Sequence, residues 1–213
     1  MRGDTAAAVE IDTEMSAALL HEVKNPLALV RANIDLLELD DAEDAHRKRF
    51  DAIRRELDRA NEILTEFAAF ASAPQGETRE CDLYEIILEQ VMRYAPAYSV
   101  GDVFRFASDT DYALFTGDPA RVSMVVSNIL KNALEACGAN PLITIDIYSD
   151  ERGVYAEFRD NGRGLRAARP DKRFSNGIGL SICRKIMAGH GGGFEIADAE
   201  GGGCVVRIFF PQA

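Results

Sequence analysis

One short segment combines a histidine with a carboxylate and an amide at spacings that suit chemistry on the imidazole ring. In His21-Glu22-Val23-Lys24-Asn25-Pro26, Glu22 is adjacent to the histidine and Asn25 follows it by four residues. Residues four apart share a face of a helix, so Asn25 is expected beside His21. Glu22 can accept the imidazole proton, which raises the nucleophilicity of the other ring nitrogen. His21 is therefore a candidate nucleophile, although on its own a solvated surface histidine is the commoner interpretation.

Two amides further along the chain suit a divalent cation. Asn128 and Asn132 are four residues apart in a segment with a helical pattern, so both are expected to project from one helix face. Their carbonyl oxygens are hard ligands, which Mg²⁺ accepts together with phosphate oxygens. An isolated pair of this kind is weak evidence, because asparagines also cap helices and face water.

A glycine-rich segment follows a predicted strand and suits a flat base. In Asp160-Asn161-Gly162-Arg163-Gly164, the carboxylate of Asp160 can accept a hydrogen bond from an exocyclic amine. Gly162 and Gly164 allow the backbone to pass close to the base.

A second glycine-rich segment, Asn176-Gly177-Ile178-Gly179-Leu180, opens a predicted helix. The N–H groups at a helix N-terminus favour an anion such as a phosphate. Gly177, Gly179 and Leu180 are therefore candidate contacts for the charged part of a ligand.

The region before residue 73 supplies the helices that must position His21. Apolar residues recur there at alternating spacings of three and four, the pattern of a coiled-coil seam. The two seams are Leu20, Val23, Leu27, Val30, Ile34 and Leu37, and then Phe50, Ile53, Leu57, Ala60, Leu64, Phe67 and Ala71. A short acidic turn at 40–44 joins them into an antiparallel hairpin. A hairpin leaves much of each seam in water, so we expect a homodimer that closes a four-helix bundle.

The segment Ala73-Pro74-Gln75-Gly76 interrupts the second seam, and the periodicity changes after it. Helices are predicted at 83–94, 119–136 and 178–188, and strands at 102–107, 112–116, 142–149, 155–160, 194–197 and 204–210. We therefore expect an α+β protein of two domains: a hairpin over 1–73, a linker over 74–77, and an α/β sandwich over 78–213 with helices on one face of a mixed sheet.

Composition narrows the possible partners. The 213 residues include 24 basic and 35 acidic side chains, for a net charge of −11, which disfavours nucleic acid and anionic membranes as partners. No stretch approaches the ~20 apolar residues of a spanning helix, and no apolar signal core precedes the first seam. The four cysteines form no CxxC pair, so neither a zinc site nor a disulfide framework is expected. The expected location is cytoplasmic, either as a whole protein or as the cytoplasmic portion of a longer sensor.

The order of these blocks resembles the catalytic core of bacterial sensor histidine kinases over residues 13–211. The segments His21–Pro26, Asn128–Asn132, Asp160–Gly164 and Gly177–Gly179 resemble the family's H, N, G1 and G2 boxes. The resemblance implies two-component signalling, in which ATP phosphorylates His21 and the phosphoryl group passes to an aspartate of a response regulator receiver domain. The second domain would have the ATP-binding fold shared by gyrase, the Hsp90 chaperone and the MutL repair protein.

The resemblance also implies a role for each candidate residue. Glu22 would be the acid–base partner of His21, and Asn25 would orient a water that dephosphorylates the regulator. Asn132 would be the main Mg²⁺ ligand, with Asn128 beside it. Asp160 would bind the adenine amine of ATP. The nucleotide pocket and the hinges of its lid would include Gly162, Gly164, Gly177, Gly179 and Leu180.

One departure from the family keeps alternatives open. The segment 165–176 is shorter than the usual ATP lid, and Phe174 is the one remnant of the family's F box. Either the nucleotide affinity is then low, or Lys172 or Arg173 supplies the contact with the γ-phosphate. The alternatives are a phosphotransfer or scaffold protein with a vestigial ATP domain, an ATPase or serine kinase of the same superfamily, and an enzyme whose phosphatase activity dominates.

Overall fold

The structure is a computed structural model that describes residues 13–37, 43–72, 76–108, 113–165 and 178–212. These residues form two compact units, one containing the first two helices and the other containing the elements from the first strand to the last. Among the helices so described, none is both long enough and apolar enough to cross a membrane.

The first unit consists of two long helices, α1 (Thr13–Leu37) and α2 (Glu43–Ser72), which pack against each other. This confirms the predicted helical region. Eight large apolar side chains of the two helices remain 42% to 59% exposed: Leu20, Leu27, Leu29, Ile34, Leu36, Phe50, Leu57 and Leu64. A single copy of the chain therefore leaves a large part of the apolar surface of these helices in contact with water.

The second unit is built on a five-stranded mixed sheet. Its strands are β2 (Phe104–Phe106), β4 (Ile143–Asp150), β5 (Gly153–Asp160), β7 (Cys204–Pro211) and β6 (Gly193–Asp198), in that spatial order. The β2–β4 pair is parallel and the other pairs are antiparallel. A separate antiparallel pair joins β1 (Arg79–Asp82) to β3 (Leu114–Gly117). The helices are α3 (Leu83–Met92), α4 (Val100–Val103), α5 (Pro119–Cys137) and α6 (Ile178–Gly189).

Alternation along the strands decides which face of the sheet is buried. On β4, Ile143, Ile145 and Ile147 are buried, and the residues between them are half-buried. The same alternation holds for β5 and β7. Helices α5 and α6 add their own apolar sides to this core, and the thiol of Cys183 on α6 donates to the carbonyl oxygen of Val125 on α5.

Some elements differ from the predictions at their ends. Helix α3 ends at Met92 rather than 94, and the residues just before β2 form the short helix α4. Strand β1 was not predicted, because three of its four residues are charged and the run carries no apolar alternation. Its extended conformation depends on pairing with β3, which lies more than thirty residues later in the chain.

Candidate functional site

The candidate nucleophile lies on α1. His21 and Asn25 are exposed, and Glu22 is half-buried. The amide nitrogen Nδ2 of Asn25 lies 3.4 Å from Nδ1 of His21, so the predicted sharing of one helix face is present. The contact can hold the orientation of an imidazole ring that is otherwise open to solvent.

The candidate metal ligands lie on the middle of α5, and both are half-buried. Nδ2 of Asn132 donates to Oδ1 of Asn128 over 2.8 Å. The bond uses the donor group of Asn132 and therefore leaves its carbonyl oxygen to meet a cation. A hard, partly solvated oxygen fits Mg²⁺, which keeps several water or phosphate ligands. In this arrangement Asn128 orients Asn132, because its own oxygen already accepts a hydrogen bond.

The candidate base-binding carboxylate lies at the end of β5. Asp160 is only 7% exposed. Its Oδ1 accepts hydrogen bonds from the backbone N–H groups of Gly162, over 2.8 Å, and of Cys204, over 3.1 Å. With both donors on Oδ1, the oxygen Oδ2 is the acceptor that a ligand can use. Burial raises the pKa of the Asp160 carboxyl group, and the two backbone hydrogen bonds oppose this shift.

The glycines of this segment bring α5 close to the carboxylate. A Cβ placed on Gly162 would lie 2.8 Å from Oδ1 of Asp160 and 2.8 Å from the backbone carbon of Ala136 on α5. Asn132 precedes Ala136 by four residues, which is roughly 6 Å along the helix axis. The structure therefore brings the asparagine pair and the Asp160 segment to one end of the α/β unit. Gly164 adopts a φ of +73°, a conformation that glycine tolerates best.

Two residues that shape this site were not among the predicted site residues. Gly203 has a φ of +85°, and a Cβ there would collide with the backbone oxygen of Asp160. The side chain of Asn161 accepts from the N–H of Leu142 over 2.9 Å and donates to the carbonyl oxygen of Asn140 over 3.0 Å, so it holds the loop after α5. The run of three glycines was the available signal for Gly203. The pairing of Asn161 had no local signal.

The second glycine-rich segment is described only in part. Gly179 and Leu180 lie in the first turn of α6, where both are buried. Gly177 lies outside the described residues, as do Phe174, Lys172 and Arg173, so their assigned roles stay predictions.

Comparison with known families covers most of the chain. The family model described as His Kinase A (phospho-acceptor) domain matches residues 12–76. The model described as Histidine kinase-, DNA gyrase B-, and HSP90-like ATPase matches residues 117–213. Together the two matches show a histidine kinase catalytic core, with the phospho-acceptor region followed by the ATPase-type region. The first model contains the segment with His21, and the second contains the asparagine pair and both glycine-rich segments.

Relatives of this histidine kinase core share both regions. It is 29% identical to a putative sensor histidine kinase NtrY-like of Rickettsia bellii, over 93% of this chain and 35% of the relative. It is 26% identical to sporulation kinase C of Bacillus subtilis, over 95% of this chain and 50% of the relative. The solved structure of histidine kinase ThkA in complex with the response regulator protein TrrA is 26% identical, with a TM-score of 0.68 over 96% of this chain and 63% of that one. The chain spans between about one third and one half of the length of these two curated relatives.

Proposed function

We propose that this chain is an ATP-dependent autokinase of a two-component system. Mg–ATP phosphorylates His21, and the phosphoryl group then passes to an aspartate of a response regulator receiver domain. The observation that carries this proposal is an exposed histidine, contacted by Asn25, in a chain that also carries an ATPase-type domain with a buried carboxylate at its site. ThkA, a related kinase, is known in complex with the response regulator protein TrrA, which supports a partner of this class.

Each of the three regions predicted from the sequence is proposed to have its own role. Residues 1–73 form the dimerisation and histidine-phosphotransfer hairpin, 74–77 form the linker, and 78–213 form the ATP-binding catalytic domain. The homodimer is supported by the eight apolar side chains of α1 and α2 that one chain leaves exposed. Burying them against a second copy closes a four-helix bundle, because each hairpin contributes two amphipathic helices.

The adenine of ATP is proposed to lie against Asp160. Its exocyclic amine donates to Oδ2, while Oδ1 stays fixed by the N–H groups of Gly162 and Cys204. A charged acceptor held in this way makes a stronger hydrogen bond than a neutral one. Gly162 and Gly164 are proposed to line the base, and a side chain at Gly162 would displace the carboxylate of Asp160, since its Cβ would lie 2.8 Å from Oδ1. Gly177, Gly179 and Leu180 are proposed to lie toward the phosphates.

Asn132 is proposed to hold Mg²⁺ through its carbonyl oxygen, and Asn128 to fix the amide in that orientation. The metal supplies charge neutralisation at the phosphates when bound. The chain itself has to position its own groups, since phosphoryl transfer depends mainly on alignment and electrostatic stabilisation.

At the histidine, one ring nitrogen forms a bond to the γ-phosphorus as the bond from phosphorus to the leaving oxygen of ADP breaks. The proton on the other ring nitrogen passes to Glu22. Asn25 keeps the ring oriented through its contact with Nδ1. In a separate reaction, an amide at this place suits a water that attacks the aspartyl phosphate of the regulator and releases inorganic phosphate, so phosphatase activity is the second candidate function.

Labelling with γ-labelled ATP tests the main proposal. We expect label that is stable in alkali and labile in acid, lost in a His21→Gln variant. His46→Gln is the matched control, because His46 is the other histidine of the hairpin helices and should keep the label. Label that survives His21→Gln would refute the assignment. A chain that neither becomes labelled nor binds an ATP analogue would instead favour the phosphotransfer or scaffold alternative with a vestigial ATP domain.

A further inference from the structure

Asp118, the residue immediately before α5, joins three segments that are distant in the sequence. It is 4% exposed. Its Oδ1 accepts from the N–H groups of Ala120, over 3.0 Å, and Arg121, over 3.3 Å, and so caps α5. Its Oδ2 accepts from the N–H of Gly76 over 2.7 Å. Its own N–H donates to Nε2 of His190 over 2.9 Å.

The contact with Gly76 is close enough to exclude any side chain. A Cβ on Gly76 would lie 2.6 Å, 2.8 Å and 2.9 Å from the three carboxylate atoms of Asp118. Gly76 itself is exposed, so the glycine is not required for core packing. The close approach ties the segment that enters the α/β unit to the first turn of α5.

His190 adds α6 to the same junction. Its Nδ1 lies 2.7 Å from the carbonyl oxygen of Ile186 on α6. A carbonyl oxygen only accepts, so Nδ1 carries the proton and Nε2 can accept from Asp118. The junction therefore joins the entry segment, the start of α5 and the end of α6.

Helix capping alone does not explain this arrangement. Asp82 caps α3 in the same unit, and its Oδ1 alone accepts from the N–H groups of Tyr84 and Ala113, over 2.9 Å and 2.8 Å. Asp118 uses Oδ1 for its helix and holds Oδ2 for Gly76, with Nε of Arg121 3.5 Å from the same oxygen. The second oxygen therefore bonds the entry segment and also lies beside the guanidinium of Arg121 on α5.

Helix α5 connects this junction to the candidate metal ligands. Asn128 and Asn132 follow Asp118 by ten and fourteen residues on one uninterrupted helix, which is roughly 15 Å and 21 Å along its axis. A continuous helix moves largely as one body, so a shift of its first turn reaches the asparagine pair.

We propose that Asp118 is a positioning residue that transmits the position of the entry segment at Gly76 to Asn132, the proposed Mg²⁺ ligand, and to Asn128, which orients it. The inference rests on the proposed role of Asn132 in binding the metal–nucleotide complex. Through Asp118, the segment that follows the hairpin influences the geometry of the nucleotide site without contacting the nucleotide.

Two variants and one matched control separate this role from capping. Asp118→Asn keeps one oxygen for the helix cap, but its amide nitrogen then faces the Gly76 N–H, so one of the two interactions is lost. Gly76→Ala leaves Asp118 charged, but the added Cβ displaces the carboxylate of Asp118. Asp82→Asn is the control, because a single oxygen at that position satisfies both of its hydrogen bonds.

The affinity of the full chain for a non-hydrolysable ATP analogue is measured with Mg²⁺ and with a chelator. We expect Asp118→Asn and Gly76→Ala to weaken binding about fivefold or more with Mg²⁺, to leave binding in the chelator unchanged, and to increase hydrogen exchange over residues 119–132. Asp82→Asn should match the wild type. Affinities equal to the control, or equal losses with and without Mg²⁺, would overturn the proposal.

The exchange measurement also separates this inference from the proposed function. If the wild-type chain binds no nucleotide, the proposed function fails. Hydrogen exchange over residues 119–132 then tests whether Asp118 couples the Gly76 segment to α5. Unchanged exchange in Gly76→Ala overturns this coupling, and increased exchange supports it.

Discussion

Replacing Asp160 with asparagine removes the negative charge at the proposed adenine site while preserving the local hydrogen bonds. The amide oxygen of asparagine can take the place of Oδ1 and still accept from the N–H groups of Gly162 and Cys204. The amide nitrogen then takes the place of Oδ2. It presents a donor to the adenine amine, which is also a donor, so the hydrogen bond to the base is lost.

The expected cost follows from the burial of the carboxylate. Asp160 is 7% exposed, and a hydrogen bond to a charged group in such a place contributes about 1.5–3 kcal/mol. That corresponds to a roughly ten- to hundredfold weaker affinity for ATP. The unliganded chain should not lose stability, because burial already disfavours the ionised carboxylate, as its raised pKa indicates.

Calorimetric titration with a non-hydrolysable ATP analogue and Mg²⁺, together with thermal unfolding of the unliganded chain, measures both quantities. Asp146→Asn is the matched control, since Asp146 is half-buried on β4, alternating with the buried residues of that strand. Binding by Asp160→Asn within twofold of the wild type would refute the assignment of Asp160 to adenine. A large fall in the unfolding temperature would refute the reasoning that the fold tolerates the change.

Three further predictions address the pH response, the metal ligands and the dimer. Burial raises the pKa of the Asp160 carboxyl group above 3.8. As the pH drops through that raised pKa, the affinity for ATP should fall, because the carboxylate that accepts from adenine becomes protonated. Over the same range the stability of the wild type relative to Asp160→Asn should increase, and titration and unfolding at several pH values measure both trends. Asn128→Ala should weaken Mg²⁺-dependent binding of the ATP analogue about two- to tenfold, because one neutral hydrogen bond is lost. Asn132→Ala should weaken it more, and equal effects of the two variants in a titration would contradict the orienting role of Asn128. The side chain of Leu57 on α2 is 48% exposed, and Leu57→Asp should yield monomers in sedimentation analysis. The control is Leu88→Asp on α3, where the side chain is 38% exposed and the substitution should leave the dimer intact. A dimeric Leu57→Asp variant would count against the four-helix bundle.

Patterns between near neighbours accounted for most of the elements. The seams around Val23 and Ile53 predicted the two long helices, and the alternation along 142–149 predicted β4. Asn128 and Asn132 were expected on one helix face, and their side chains are hydrogen-bonded. These features depend on residues two to four positions apart, whose geometry is set by the period of the helix or strand.

The charged strand β1 had no such pattern, and neither did the donors around Asp160. Cys204 donates to Asp160 across 44 positions of sequence, Gly76 to Asp118 across 42, and Asp118 to His190 across 72. No local period encodes which backbone N–H will approach a carboxylate from that distance.

The sequence by itself determined the elements, the order of the motifs and the residue types that could do the chemistry, because each of these is a local property of the chain. Only the tertiary structure decided which oxygen of Asp160 is left without a backbone donor and which segment Asp118 holds. Those outcomes depend on the packing of strands and helices, which brings backbone donors together from remote parts of the chain.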